Sequence, residues 1–158
     1  MAGFVGKPVL PLDAPEVSAA IERVQKRTDA LLNCGGTHRP EWFHRKLGDI
    51  LYEGCGVARD EAGLLDALTK VRELREEFWR DVKVVGTGNR LNQELEKAGR
   101  VADFIELGEV MILDALDRRE SAGAHFRNEY ATEAGEAKRN DGDWCCLLYT
   151  SSDGAREA

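Results

Sequence analysis

The stretch Asp60-Glu61-Ala62-Gly63-Leu64-Leu65-Asp66-Ala67-Leu68-Thr69-Lys70-Val71-Arg72-Glu73-Leu74-Arg75-Glu76-Glu77-Phe78 decides the fold class. Leu64, Leu65, Leu68, Val71, Leu74 and Phe78 return at steps of three and four. The charged Arg72, Glu73, Arg75 and Glu76 fall on or beside the opposite side, so the period is that of an amphipathic α-helix with Asp60 as its N-cap.

The same reasoning extends outward. Downstream, Leu91, Leu95, Ala98, Val101, Ala102, Ile105, Ile112 and Leu116 line a second, longer stripe with no proline between Leu91 and Leu116. Asn89 is the expected cap, after a turn at Gly86-Thr87-Gly88-Asn89. Gly99 and Gly108 each cost about 1 kcal/mol relative to alanine in an exposed helix interior, which points to close packing against a neighbour. Val82-Lys83-Val84-Val85 reads as a short extended piece. Upstream, Pro40-Glu41 opens a helix with Phe43, Leu47, Ile50 and Leu51 on one side, ending near Gly54 to Gly56. Asp13-Ala14-Pro15-Glu16 announces a first helix in which Val17, Ile21, Val24, Thr28 and Leu31 form a buried stripe, closed by Asn33-Cys34-Gly35-Gly36. The expectation is an all-α fold, a three- to four-helix antiparallel bundle over residues 13–130 with an extended polar C-terminal arm, 131–144.

Composition sets bounds on function. The chain of 158 residues is 42% hydrophobic and 32% charged with a net charge of -7, ordinary usage for one globular domain. Interspersed charge of this sign lacks the basic footprint of a nucleic-acid binder. No apolar run approaches the ~20 residues of a membrane span, and the first residues lack a secretory signal. Cysteines 34, 55, 145 and 146 form no Cys-x-x-Cys pair, which suits a reducing cytoplasm. Cys34, His38, His44 and Cys55 are of metal-ligand type, but their spacing matches no zinc ribbon or finger. Gly86-Thr87-Gly88-Asn89 lacks both the later glycine of a dinucleotide loop and the Gly-Lys-Ser/Thr of a P-loop. Trp42, Phe78 and Trp79 read as core or domain-contact aromatics.

The candidate site follows the longest helix: Arg118-Arg119-Glu120-Ser121-Ala122-Gly123-Ala124-His125-Phe126-Arg127. Arg118 and Arg119 fall where a helix C-terminus offers unpaired carbonyls, and Gly123 is able to adopt a left-handed turn. Arg119, Glu120 and Ser121 suggest a hydrogen-bonded clasp, Glu120 pairing a guanidinium and Ser121 bonding local backbone. His125 has either a structural role at a domain contact or a place near cofactor or substrate. Arg127 is expected to make a charge-assisted contact outside the bundle, since the helical stripe does not require it.

This segment resembles the Arg-x-Glu-Ser-Arg-Gly-Ala-His segment near the C-terminus of succinate dehydrogenase and fumarate reductase flavoprotein subunits. Ala122 stands where many members carry arginine. A subgroup with diheme membrane anchors places small residues there and continues, as here, with His125-Phe126-Arg127 and Glu129-Tyr130. The resemblance runs from about Pro40 to Trp144, including Phe43-His44-Arg45-Lys46-Leu47-Gly48, Gly56-Val57-Ala58-Arg59, Leu74-Arg75-Glu76-Glu77-Phe78-Trp79 and Leu95-Glu96-Lys97-Ala98-Gly99-Arg100-Val101-Ala102-Asp103.

The resemblance implies a helical C-terminal domain, truncated from an oxidoreductase subunit that uses FAD to interconvert succinate and fumarate and passes electrons to an iron–sulfur subunit. FAD and substrate would be held by parts that are absent here, so no catalytic, cofactor-binding or metal residue is assigned to this chain, which alone would be inactive. Arg119, Glu120, Ser121, Gly123, His125 and Arg127 become domain-docking or near-cofactor candidates. The implied partners are the flavin-binding domain of the same subunit, the iron–sulfur subunit and, indirectly, a membrane cytochrome b anchor; the implied location is cytoplasmic, peripheral on the membrane. Residues 1–12 would be a residual linker, and the arm would wrap over the flavin domain, poorly ordered without it. Residues 145–158 read either as a non-native tail, because Cys146-Leu147-Leu148-Tyr149-Thr150-Ser151 looks like a translated transposon end, or as a natural divergent C-terminal strand. The alternative is a free-standing helical interaction module without catalysis.

Overall fold

The structure, a computed structural model, describes residues 11–144; the expected tail at 145–158 and most of the expected linker lie outside the described residues. The element order is α1 (Pro15–Asn33), α2 (Pro40–Gly54), β1 (Ala58–Arg59), α3 (Glu61–Asp81), α4 (Gln93–Asp117), β2 (Phe126–Arg127), a 3-10 turn (Asn128–Tyr130) and α5 (Asp141–Trp144). Helices α2, α3 and α4 pack on one another and α1 lies against α4, the all-α bundle that the periodicity predicts.

The core is built from the stripes. Phe43 and Leu47 of α2, Leu64, Val71, Leu74 and Phe78 of α3, and Ala98, Ile105 and Ile112 of α4 are all buried. Phe43 and Phe78 meet edge to face with ring centroids 5.2 Å apart, a favoured aromatic geometry. Small residues set how closely helices approach. A Cβ on Gly54 would lie 2.6 Å from the Ala67 Cβ, and one on Gly108 would lie 3.2 Å from Leu47 Cδ1.

Contacts at the helix ends give the directions. Gly54 meets Gly63 at one end of the α2–α3 pair; at the other, Gly36 N–H donates to Val82 O and Lys83 N–H to His38 O, so the two run antiparallel. Lys97 pairs with Glu41 near the starts of α4 and α2, while Leu47 and Leu51 lie against Gly108 further along both. The order α2, α3, α4 is therefore up, down, up.

Two helix starts differ from expectation. Asp60 caps α3 as predicted, accepting from Gly63 N–H at 2.7 Å, an interaction worth about 1 kcal/mol. Asn92 rather than Asn89 caps α4: its Oδ1 accepts from Leu95 N–H while its Nδ2 donates to Val85 O and Thr87 O. One amide thus caps the helix and closes the preceding turn, where Gly86 has φ +97°. Asn89 instead accepts from the Thr87 hydroxyl. At α1 the cap is Ala14, with no side-chain cap bond; Asp13 sits one residue too early to serve.

Burial departs from periodicity at specific places. Within α1 only Leu31 is buried, and Ile21 and Val24 are 63% and 68% exposed. Leu65 and Leu91 are also exposed. Gly108 packs closely as expected, but a Cβ on Gly99 would meet nothing within 4 Å. The two-residue strands β1 and β2 pair in parallel, Ala58 with Phe126 and Arg59 with Arg127, a ladder too short to leave an alternating pattern in the sequence.

Candidate functional site

The segment after α4 turns inward. At Arg118 the backbone is already extended, and Glu120 and Ser121 are buried next to it. Ala122 and His125 exchange both backbone hydrogen bonds, at 2.8 and 3.1 Å, and between them Gly123 has φ +58°. Gly123 therefore serves a two-residue hairpin turn, with the left-handed residue in the first central position, rather than the helix stop itself. From His125 the chain enters β2 and pairs with β1.

The helix terminus is satisfied from a distance. Arg127, 2% exposed, donates from Nη1 to Ala115 O at 2.7 Å and Leu116 O at 3.3 Å, placing a cation on the free carbonyls of the last α4 turn. Its Nε donates to Glu129 Oε2 at 3.1 Å, and its guanidinium carbon lies 5.5 Å from the Tyr130 ring centroid. The other carboxylate oxygen of Glu129 accepts from Glu61 N–H at 2.5 Å, the first amide of α3. One Arg–Glu pair thus joins the negative end of α4 to the positive end of α3. Burial raises the Glu129 pKa, but the backbone bond from Glu61 and the Arg127 contact outweigh it and hold the group below the ordinary carboxylate value.

This corrects the expectation for Arg127, whose polar atoms are turned into the bundle. It also reassigns the clasp. Arg118, not Arg119, holds Glu120, through Nε at 2.9 Å and Nη2 at 2.6 Å, while Arg119 is exposed. The second oxygen of Glu120 accepts from Asn140 N–H at 2.8 Å. Burial of Glu120 raises its pKa, yet the Asn140 amide and Arg118 overcome that and lower it below the ordinary value. Ser121 Oγ accepts from Arg127 N–H at 2.8 Å and donates to Arg127 O at 3.1 Å, so one hydroxyl fills both backbone valences of the residue that caps α4.

His125 Nε2 lies 3.0 Å from Arg118 O, and since a carbonyl only accepts, Nε2 carries the proton. Burial lowers the ring's pKa, against that hydrogen bond and with the help of the nearby arginines. The imidazole is a neutral strut between the hairpin and the end of α4.

The arm continues this arrangement. Lys138 N–H donates to Tyr130 O, Lys138 O accepts from Ser121 N–H, and Thr132 N–H donates to Glu136 O, so residues 131–140 fold back on the clasp along a defined path. Sequence reasoning missed Arg59, whose Nη2 donates to Ala124 O at 3.2 Å, and Asn140, and it named Arg118 and Glu129 without their partners. The Arg118-x-Glu120 spacing was the available signal, since in extended chain such residues share a face; Arg127 and Glu129 meet instead across the start of the 3-10 turn at Asn128–Tyr130.

The metal-type residues are dispersed. His38 Nδ1 is 2.5 Å from Asp81 Oδ2 and its ring stacks on Trp42 with centroids 4.1 Å apart. Cys34 Sγ approaches Trp79 O, His44 lies beside Phe104, and Cys55 is buried with burial raising its pKa. Among the described residues no three His, Cys, Asp or Glu side chains converge on a common point. At the glycine turn a Cβ on Gly86 would lie 2.8 Å from Asn92 Nδ2, so the Asn92 amide packs directly on the backbone there. His38, Thr37 and Asp81 form a second polar knot, with the His38 and Thr37 hydrogen bonds lowering the Asp81 pKa to about 2; it pins the start of α2 to the end of α3.

Fold and site together define a helical domain whose polar centre is an internal brace. Residues 44–157 match the family described as fumarate reductase flavoprotein C-term, and the chain belongs to that family. Curated relatives include the fumarate reductase flavoprotein subunit of Escherichia coli, 30% identical over 118 residues (74% of this chain, 19% of the relative). The succinate dehydrogenase flavoprotein subunit of Bacillus subtilis is 26% identical over 126 residues (80% and 20%). Among solved structures, an E. coli quinol fumarate reductase chain superimposes with a TM-score of 0.71 at 26% identity, covering 90% of this chain and 23% of that one. Mycobacterium smegmatis Sdh1 in its apo form gives 0.69 at 26% identity, covering 87% and 22%. The chain spans about a fifth of the length of the curated relatives it matches.

Proposed function

We propose that this chain is the helical C-terminal domain of a succinate dehydrogenase/fumarate reductase flavoprotein subunit, truncated from it, supporting FAD-dependent succinate–fumarate interconversion and electron transfer to an iron–sulfur subunit. The observation that carries the reading is the family match, which covers α2 from His44 onward, α3, α4 and the clasp. FAD and substrate belong to the flavin-binding portion of the parent subunit, and this chain alone is inactive. The iron–sulfur subunit is a further partner, with a membrane cytochrome b anchor reached through it. The parent sits peripherally on the cytoplasmic side of the membrane. Ala122, with His125-Phe126-Arg127 and Glu129-Tyr130 after it, favours the subgroup with a diheme anchor. Within the chain, buried Glu120, Ser121 and Arg127 hold the hairpin rigid, while Arg119 and Gly123, both exposed, and the rim of His125 form the outward part available to the flavin domain.

The test is domain replacement. This chain is exchanged for the matching C-terminal region of the E. coli fumarate reductase flavoprotein subunit, and FAD retention, association with the iron–sulfur subunit and fumarate reduction are measured. Retention of flavin and partner with activity is expected. A chimera that folds yet binds neither would sink the reading in favour of a free-standing interaction module.

A further inference from the structure

Helix α1 is held to the bundle by its C-terminal half. Arg27 pairs with Asp103 of α4 and donates to Gly99 O, Leu31 is buried, and Leu32 lies against Gly88 ahead of α4. The other half carries an apolar face that the described residues leave open. Val17, Ala20, Ile21 and Val24 form it, with Glu16 along one edge and Gln25 along the other, and Ile21 and Val24 are 63% and 68% exposed. Large apolar side chains grouped in this way in water mark a contact surface.

The pattern on this face is self-complementary. When two copies of α1 lie antiparallel with Val17 opposite Val24, the same register sets Ile21 opposite Ala20, and both pairs occur twice about a two-fold axis. Bulky Ile21 then meets small Ala20, so the middle layer is filled without being overfilled. On a helix of 3.6 residues per turn, Glu16, Arg23 and Arg27 lie on one flank of the face and Ser18 and Gln25 on the other. A two-fold antiparallel pair sets each flank against its own copy. Glu16 therefore falls between Arg23 and Arg27 of the second copy, about 3 Å along the axis from each, and Ser18 falls near Gln25. Arg27 is already bound to Asp103, which leaves Arg23 as the partner of Glu16. The overlap, from Glu16 to Gln25, ends just before Arg27, where the bundle begins, so the two bundles sit at opposite ends of the pair.

We infer that the free half of α1 is a homodimer contact, packing antiparallel on the same half of α1 in a second copy of this chain. A contact of fewer than about three helical turns lies below the ~1,200 Å² of a standard interface. Association is therefore weak and reversible, and the two-fold symmetry closes it at two copies.

The experiment is sedimentation equilibrium of the full chain across the micromolar to millimolar range, with reductant present so that no disulfide contributes. A monomer–dimer equilibrium is expected. Ile21→Glu should weaken it at least about tenfold, because it places two carboxylates in the apolar layer. Glu16→Arg and Arg23→Glu should each weaken it about three- to fivefold, the scale of exposed ion pairs, and the double reversal should restore the parent affinity. Circular dichroism and thermal melts of each variant establish that the bundle stays folded. A chain that is monomeric throughout overturns the inference, as does a dimer that Ile21→Glu leaves intact, since that dimer uses another surface. A dimer broken by Ile21→Glu in which the two charge reversals do not compensate overturns it as well, because the antiparallel register is then wrong. A monomeric chain whose Ile21→Cys thiol is shielded from maleimide only in the assembled chimera assigns the face to the rest of the subunit and also overturns it. Dimerisation of the isolated chain is read without flavin or iron–sulfur partner, so its failure leaves the proposed function intact.

Discussion

At the scale of single residues, the decisive group is Arg127. Its guanidinium is the only cation on the Ala115 and Leu116 carbonyls that the described residues provide, and it simultaneously neutralises Glu129. Arg127→Ala therefore leaves two helix-end carbonyls and a carboxylate without their donor, and a loss of about 3 kcal/mol is expected, measured as a shift in the urea midpoint. Ser121→Ala strands the backbone N–H and C=O of the same residue and should cost about 2 kcal/mol. Because both changes act on one network, the double variant should lose less than the sum. The clasp also titrates. Glu120 and Glu129 have folded pKa values below the ordinary carboxylate value, so the unfolded chain binds more protons in that range; their stabilisation is full above the unfolded pKa and is lost as pH falls through the folded one. His125 is also lowered, so its contribution is full above about 6.5, the unfolded value, and declines as pH drops from there to the folded pKa. Urea midpoints should fall in two stages on acidification, and His125→Gln should remove the upper stage while leaving the lower; an unchanged profile would refute the assignment.

At the scale of elements, two glycines in α4 give opposite expectations that periodicity cannot separate. A Cβ on Gly99 meets nothing within 4 Å, whereas one on Gly108 presses on Leu47 and Leu51. Gly99→Ala should raise stability by about 0.5 to 1 kcal/mol through helix propensity alone. Gly108→Val should lower it by about 1 to 3 kcal/mol, since two further carbons must force apart packed leucines; thermal melts of both variants would check the pair. The same contrast explains what was legible. Stripes such as Leu64, Val71, Leu74 and Phe78 expose their period in the sequence because every member meets a neighbour inside this chain. The α1 stripe has the same period, but periodicity reports only that a face is apolar and not what covers it, so Ile21 and Val24 were expected in the core. Asn92 displaced Asn89 because only its amide reaches Val85, Thr87 and Leu95 together, a fact of loop closure rather than of spacing. In the clasp, residue types announced a hydrogen-bonded turn, but the partners did not follow from adjacency: Arg118 takes Glu120 from Arg119, and Glu129 reaches α3, 68 positions away.

At the scale of the whole molecule, the arm decides whether the clasp closes. Residues 131–137 form a short hairpin, Ala131 bridging Ala137 with Gly135 at φ +78°, and that hairpin returns the chain so that Lys138 O meets Ser121 N–H and Asn140 N–H meets Glu120. The bundle therefore finishes its polar centre with backbone from a segment whose own side chains are mostly exposed, which is why a polar sequence reads as an appendage. Ending the chain after Tyr130 should leave the α2–α4 core folded, because none of its buried apolar residues lies in the arm. It removes one neutral and one charge-assisted hydrogen bond from the clasp, so a loss of about 2 to 3 kcal/mol is expected. With Asn140 gone, the Glu120 pKa should rise toward the ordinary value and the lower acid stage should shrink. Thr132→Ala, which touches only the arm's own Glu136 amide, should change stability by less than about 0.5 kcal/mol. Urea unfolding of the truncated, Thr132→Ala and full chains at neutral and acid pH separates the outcomes. Equal midpoints for the truncated and full chains would mean that Glu120 and Ser121 are satisfied by solvent, and the arm would then carry no part of the brace.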